Sequence, residues 1–319
     1  MKMIRLFKFT IALVMVLSAC GTTPIPTSTP DSMPVPTPIQ TATKIVVNAD
    51  APCVGAPAPK QWQHVVVIMF ENKTYDQVIG VAPYITGLAH KCGTYTNWKD
   101  SNYKVDGSLD GKYKSKPSYA TLTNGLSPSA HGLLDDTYAA QTDVDKLYNQ
   151  LNLAGKTFKD YYDGGVGGCG VHFSGDYHDP IRYYTKMVSI CDEHDVPLST
   201  FMEDVNSGNL PAFSIFLPTN HHNMHDNDVA SGDVYARSIL DPLLNSAAYA
   251  KGDVAIFFLW DENSPIPNVL LAPSVVAGSR SDNPVSHFSA LRTWEEMLNL
   301  SLLGDTGKAP SLLSFFGKP

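Results

Sequence analysis

No two cysteines in this chain are spaced as C-x-x-C, so a zinc–thiolate site is not expected. Basic residues are scarce, 23 against 31 acidic ones, which gives a formal charge of −8. That balance argues against a nucleic-acid partner, because such binding rests on neutralising phosphates with Lys and Arg. No internal repeat is visible. The N-terminal apolar run "FTIALVMVLSAC" is too short to span a bilayer.

That run follows Lys2, Arg5 and Lys8, and together they read as an export signal. Its end, Leu17-Ser18-Ala19-Cys20, is similar to a bacterial lipobox, in which the signal is cut before a lipid-modified Cys. The expectation is a lipoprotein signal over residues 1–19 and a lipidated Cys20, with the protein anchored to the outer face of the cell membrane. The signal holds three basic and no acidic residues, so its removal takes the charge from −8 to −11. A phosphate-bearing substrate must then be held by local features. Residues 20–58 are rich in Pro and Thr and are expected to act as an extended spacer. Residues 59–319 are long enough for one large α/β domain. Cys53, Cys92, Cys169 and Cys191 remain. Four cysteines in an exported chain suggest two disulfides. Three pairings are open, and short loops favour Cys53–Cys92 with Cys169–Cys191.

Strand and helix patterns alternate along the domain, so the expected fold class is α/β: a mostly parallel central sheet with helices on both faces. "HVVVIMF", "AFSIFLP" and "DVAIFFLW" are continuous apolar runs, as strands covered on both faces require. Each runs into polar groups. The first meets Glu71-Asn72 and the third Asp261-Glu262. The second leads to Asn220, His221, His222, Asn223, His225 and Asp226. Ligands of open α/β sheets bind at the carboxyl ends of strands, and carboxylate and amide oxygens suit a hard divalent cation. His64, His90 and His131 read as surface or structural. In "GDVYARSILDPLLNSAAYAKG", Asp241-Pro242 is expected to open a new helical turn.

The ordered set of motifs resembles the phosphoesterase family of bacterial phospholipases C and metal-dependent acid phosphatases, in the alkaline phosphatase-like superfamily. Glu71-Asn72-Lys73-Thr74-Tyr75-Asp76 is similar to its Glu-Asn strand end. Ser115-Lys116-Pro117-Ser118-Tyr119 resembles its Ser-x-Pro-Asn-Tyr. Tyr177-His178-Asp179-Pro180 resembles its His-Asn-Pro, and Asn223-Met224-His225-Asp226 its Asp-Met-His-Asp. Trp260-Asp261-Glu262 and the stretch from His287 to Thr293 complete the series. The resemblance implies that Glu71, Asn72, Asp261 and Glu262 hold one divalent metal ion. It implies Ser115 as nucleophile, with His178 and His225 on the phosphoryl oxygens and Ser118 and His287 as further substrate contacts. Ser118, Ser127 and Ser129 are the competitors for the nucleophile. Three departures stand out. Ser118 replaces an Asn, Asn223 replaces an acidic residue, and Asn263-Ser264-Pro265-Ile266-Pro267 replaces a Gly-rich loop. The expected activity is phosphomonoester hydrolysis, on a small phosphate ester or a phospholipid headgroup. The alternatives are a phospholipase C-type diesterase and a catalytically inactive surface protein that binds phosphorylated ligands.

Overall fold

Val65 to Phe70 carry no polar side chain, and all six are buried. Such a run can only be a strand covered on both faces, and it forms β1 (His64–Phe70) at the centre of an eight-stranded sheet. The computed structural model describes residues 46–137, 141–163 and 178–317. Within them the remaining strands are β2 (Gly93–Tyr95), β3 (Trp98–Lys99), β4 (Phe158–Tyr162), β5 (Asp195–Pro197), β6 (Phe213–Leu217), β7 (Val254–Trp260), β8 (Asn268–Leu271), β9 (Ser279–Ser281) and β10 (Val285–Ser286). The helices are α1 (Tyr75–Val78), α2 (Pro83–Lys91), α3 (Ser115–Asn124), α4 (Pro128–His131), α5 (Leu147–Leu153), α6 (Phe201–Ser207), α7 (Val229–Leu244), α8 (Ala247–Ala250) and α9 (His287–Met297).

The large sheet has the order β5-β4-β6-β1-β7-β8-β2-β9. β1 pairs in parallel with β6, Val65 facing Phe213, and with β7, Val65 facing Ala255. β4 continues the parallel set. β8 is antiparallel to both β7 and β2, so the sheet is mostly parallel, as the alternating pattern predicts. Asn268 makes the β8–β2 junction polar yet satisfied. Its side chain accepts from Tyr95 N at 2.7 Å and donates to Tyr95 O at 2.6 Å. Helices flank the sheet, α2 packing on α7 and α3 on α9.

Within the expected spacer of residues 20–58, the segment around Cys53 packs against the domain. Cys53 is buried, and the amides of Val54 and Ala56 donate to Pro273 O. α7 does not restart at Asp241-Pro242. It continues through Pro242, which lies two residues from its end, where a missing amide disturbs little that follows. Residues 1–19, Cys20 and Cys169 lie outside the described residues. Among the described residues, no helix is long and apolar enough to cross a membrane.

The expected Cys53–Cys92 disulfide is present and closes a loop with a sequence separation of 39. Cys191 is also disulfide-bonded. A crosslink of that span removes loop entropy from the unfolded chain. The Cys53→Ser/Cys92→Ser protein is expected to lose about 3 kcal/mol of stability, read as a lower urea midpoint. An unchanged midpoint would show that the N-terminal segment docks without the bridge.

Candidate active site

Three loops leave the carboxyl ends of β1, β6 and β7, adjacent strands in the sheet, and hydrogen bonds tie them to one another. Glu71 N donates to Asn223 O at 2.8 Å, Asp261 N to Phe70 O at 3.3 Å, and Lys73 Nζ to Met224 O at 2.6 Å. Each loop turns sharply at a non-glycine residue in the left-handed region: Asn72 (φ 53°), Met224 (φ 76°) and Asn263 (φ 71°). Asn tolerates that region and Met does so at a cost, and backbone strain of this kind gathers at sites whose surroundings enforce it.

α3 delivers the hydroxyl groups. Ser115 is its first residue and donates from Oγ to Glu71 Oε2 at 3.1 Å. Tyr119, one helical turn later, donates from its phenol to Glu71 Oε1. Asp261 contacts both Glu71 and Ser115, and its Oδ1 accepts from Asn72 N at 3.1 Å. Glu71, Asn72, Ser115 and Asp261 are therefore brought together. Glu71 and Asp261 are wholly buried and Ser115 nearly so.

The electrostatics follow from that burial. Desolvation first, and then the Asp261 charge, hold the Glu71 carboxyl well above the usual carboxylate range. Desolvation raises Asp261 as well. Asn72 Oδ1 and Asp261 Oδ2 are buried and have no hydrogen-bond partner among the described residues. A buried acceptor without a donor is costly. Two such oxygens beside a carboxylate pair form a set of hard oxygen donors that a divalent cation would satisfy. Among the described residues no three His, Cys, Asp or Glu side chains are grouped to hold a metal ion. The fit rests instead on two carboxylates with an amide and a hydroxyl: Glu71, Asp261, Asn72 and Ser115. Glu262 lies at the edge of this buried set, close enough for its charge to act on Glu71. It is only half-buried, and burial and then the neighbouring Asp261, Asp136 and Asp100 push its carboxyl up to about 8.

His178 reaches the cluster, with Nε2 at 3.4 Å from Glu71 Oε1. Burial, and then the nearby His225, push its pKa down to about 3, so it is a neutral imidazole at pH 7. His225 lies 6.0 Å away, ring to ring, with Nδ1 at 2.6 Å from Asp226 Oδ1. It is partly exposed, and its Nε2 is the edge directed away from that carboxylate.

Two sequence candidates occupy supporting positions. His287 is completely buried, with Nε2 at 2.6 Å from the Asp261 carbonyl and Nδ1 facing Trp98 Nε1 at 3.4 Å. Both ring nitrogens are committed, so it braces the Asp261 backbone and cannot donate to a substrate. Ser118 Oγ is 2.7 Å from Ser101 Oγ, which ties α3 to the loop after β3. Among the competing serines, Ser127 contacts Ser129, and Ser129 is bonded to Asp110. Neither reaches a strand-end carboxylate through these bonds. Tyr119 has no role in the sequence reading. Its signal was the i, i+4 spacing from Ser115, which matters only once α3 is known to begin at that serine.

A model of the phosphoesterase family matches residues 85–284. A phosphatidylinositol-3-phosphatase of Mycobacterium tuberculosis is 26% identical over 274 residues, which cover 83% of this chain and 86% of that protein. An acid phosphatase of Aspergillus fumigatus is 27% identical over 115 residues, covering 33% of this chain and 26% of that protein. A protein of the alkaline phosphatase superfamily from Vibrio parahaemolyticus shares the fold, with a TM-score of 0.50 and 12% identity over 78% of this chain and 69% of that one. By this match, which spans more than half of its length, the chain belongs to the phosphoesterase family and is a hydrolase acting on phosphoric esters.

Proposed function

We propose that this chain is an exported, membrane-tethered, metal-dependent phosphomonoesterase that works through Ser115. The observation that carries the reading is the Ser115 hydroxyl, held on Glu71 beside Asp261 at the first turn of α3. The positive end of a ten-residue helix lies at that hydroxyl, where an incoming phosphoryl group gains from the helix dipole. Part of that capacity is used by Asp136, which accepts from Lys116 N at 3.0 Å.

In this reading Ser115 Oγ forms a bond to phosphorus as the ester P–O bond breaks. The departing alkoxide takes up a proton from solvent and leaves as the alcohol. The proton of Ser115 passes to the Glu71 carboxylate that already accepts it. Water then cleaves the phosphoserine, which releases inorganic phosphate and restores the hydroxyl. Tyr119 fixes the second oxygen of Glu71. Neutral His178 and the exposed edge of His225 act as donors to the phosphoryl oxygens. A divalent ion bound by Glu71, Asn72, Asp261 and Ser115 would lower the pKa of the hydroxyl and neutralise charge on the transferring group.

The Cys53–Cys92 disulfide suits an oxidising compartment, which supports export. The lipobox-like Cys20 supports a membrane tether. The name of the mycobacterial relative supports a phosphomonoester on a lipid headgroup as one substrate class.

The test compares 4-nitrophenyl phosphate with bis(4-nitrophenyl) phosphate, before and after chelation and with Mg²⁺, Ca²⁺, Mn²⁺ or Zn²⁺ restored. The expected result is monoester turnover that chelation abolishes and a metal restores. A faster diester reaction would overturn the monoesterase reading, and full activity after chelation would remove the metal from it.

A further inference from the structure

A cavity of about 560 Å³ opens between the chain after β3 and the turn after Glu262. Its base is locked. Asp100 N donates to Ser264 Oγ at 2.7 Å, and Ser264 N donates back to Asp100 Oδ2 at 3.0 Å. One wall is a short hairpin in which Tyr103 and Leu109 form an antiparallel bridge. Lys104 N closes its turn on Ser108 O at 2.8 Å. Asp110 then pins the hairpin by accepting from Ser129 N and Oγ. The Tyr103 ring is fixed from one side by Lys99 Nζ, 4.8 Å from its centroid. Leu109 is 67% exposed, although it belongs to no core. Exposed Lys112 and Asn263 stand on the rim.

The position of the cavity ties it to the reaction. The chain runs from Lys112 through Tyr113 and Lys114 into Ser115, and Asn263 directly follows Glu262. We propose that this cavity holds the alcohol half of the ester, and that it selects an uncharged, hydroxyl-rich ring. The inference rests on the phosphomonoesterase reading above.

The chemistry of the lining argues for that class. Tyr103 and Leu109 offer an apolar wall for the C–H face of a ring. Asn263 can donate to and accept from ring hydroxyls, and Lys112 can donate to them. The volume admits a ring of hexose or cyclitol size. A further anionic group is disfavoured. Among the lining residues Lys112 carries the one ammonium, and the buried Asp100 lines the same cavity, in a chain of net negative charge. A small alkyl alcohol would leave the wall and the rim unused.

The test uses the full chain with myo-inositol 1-phosphate and with ethyl phosphate, in wild type, Tyr103→Ala and Asn263→Gly. Gly keeps the left-handed backbone at 263, so only the amide is lost. For the cyclitol ester, kcat/KM is expected to fall about tenfold or more in each variant, mostly through KM. For ethyl phosphate it is expected to change less than about twofold. Equal losses on both esters would overturn the proposal, as would a wild type that prefers ethyl phosphate. Saturation-transfer NMR of free myo-inositol reads the cavity without turnover. Transfer that Tyr103→Ala abolishes supports the subsite even if no monoester is hydrolysed, an outcome that would sink the phosphomonoesterase reading alone. Absence of transfer in wild type overturns the subsite.

Discussion

Ser115→Ala is expected to lower kcat on 4-nitrophenyl phosphate by about a thousandfold or more while leaving thermal stability nearly unchanged. The hydroxyl makes one hydrogen bond to Glu71, and its net worth to folding is about 1 kcal/mol. Its worth to catalysis is the whole covalent step. Glu71→Gln is expected to remove activity to a similar extent but to move stability the other way. In the metal-free protein Glu71 is a buried carboxyl facing a second one on Asp261, with desolvation as the larger cost. An amide of the same shape removes that cost, so the metal-free variant should melt above metal-free wild type. Added divalent metal should raise the melting temperature of wild type and leave that of Glu71→Gln almost fixed. Two measurements decide this: kcat per folded molecule, and melting with and without metal. Full activity in Ser115→Ala would move the nucleophile elsewhere. Equal metal-induced stabilisation of Glu71→Gln and wild type would remove Glu71 from the metal set.

The strand ends were legible in the sequence because burial on both faces forces unbroken apolar runs, and such runs stop where the sheet stops. Glu71 and Asp261 mark that boundary on β1 and β7, and the parallel register places them side by side. Their partners were harder to read. Whether Ser115 or Glu262 completes the oxygen set depends on how two loops turn, and the turns are made by Asn72 and Asn263 in a conformation that no apolar pattern encodes. His287 illustrates the same limit. Its place in the motif series suggested a substrate contact, but its two ring nitrogens face a carbonyl and an indole that are distant in the chain. Long-range pairing of polar atoms leaves no periodic trace, so Tyr119 on Glu71 and the Asp100–Ser264 lock appear only in the folded molecule.

Arg182→Leu is expected to be strongly destabilising, for a reason that also reaches the active site. Arg182 is buried, with Nε donating to Asp179 Oδ2 at 2.6 Å and to Asp195 Oδ2 at 3.0 Å. Asp160, on the neighbouring strand β4, is buried in the same group. It accepts from Tyr148 OH at 2.6 Å, and burial pushes its carboxyl up to about 8, so it stays protonated at pH 7. Asp179 is raised as well, by desolvation and then by Asp195 and Asp160. The guanidinium is the group that lowers it. Removing one partner of such a buried set costs about 3–5 kcal/mol, because the carboxyls left behind lose the guanidinium they face. Asp179 follows His178 directly, so the same clasp fixes the imidazole that lies 3.4 Å from Glu71. Arg182→Leu should therefore lower the urea midpoint sharply and reduce kcat in whatever remains folded. Adding Asp179→Asn, the residue of the family pattern, should return part of the stability, since one buried charge is then gone. A loss below about 1 kcal/mol in Arg182→Leu would show that these carboxyls are all neutral and need no cation. Full kcat in the folded variant would show that His178 is held by other contacts.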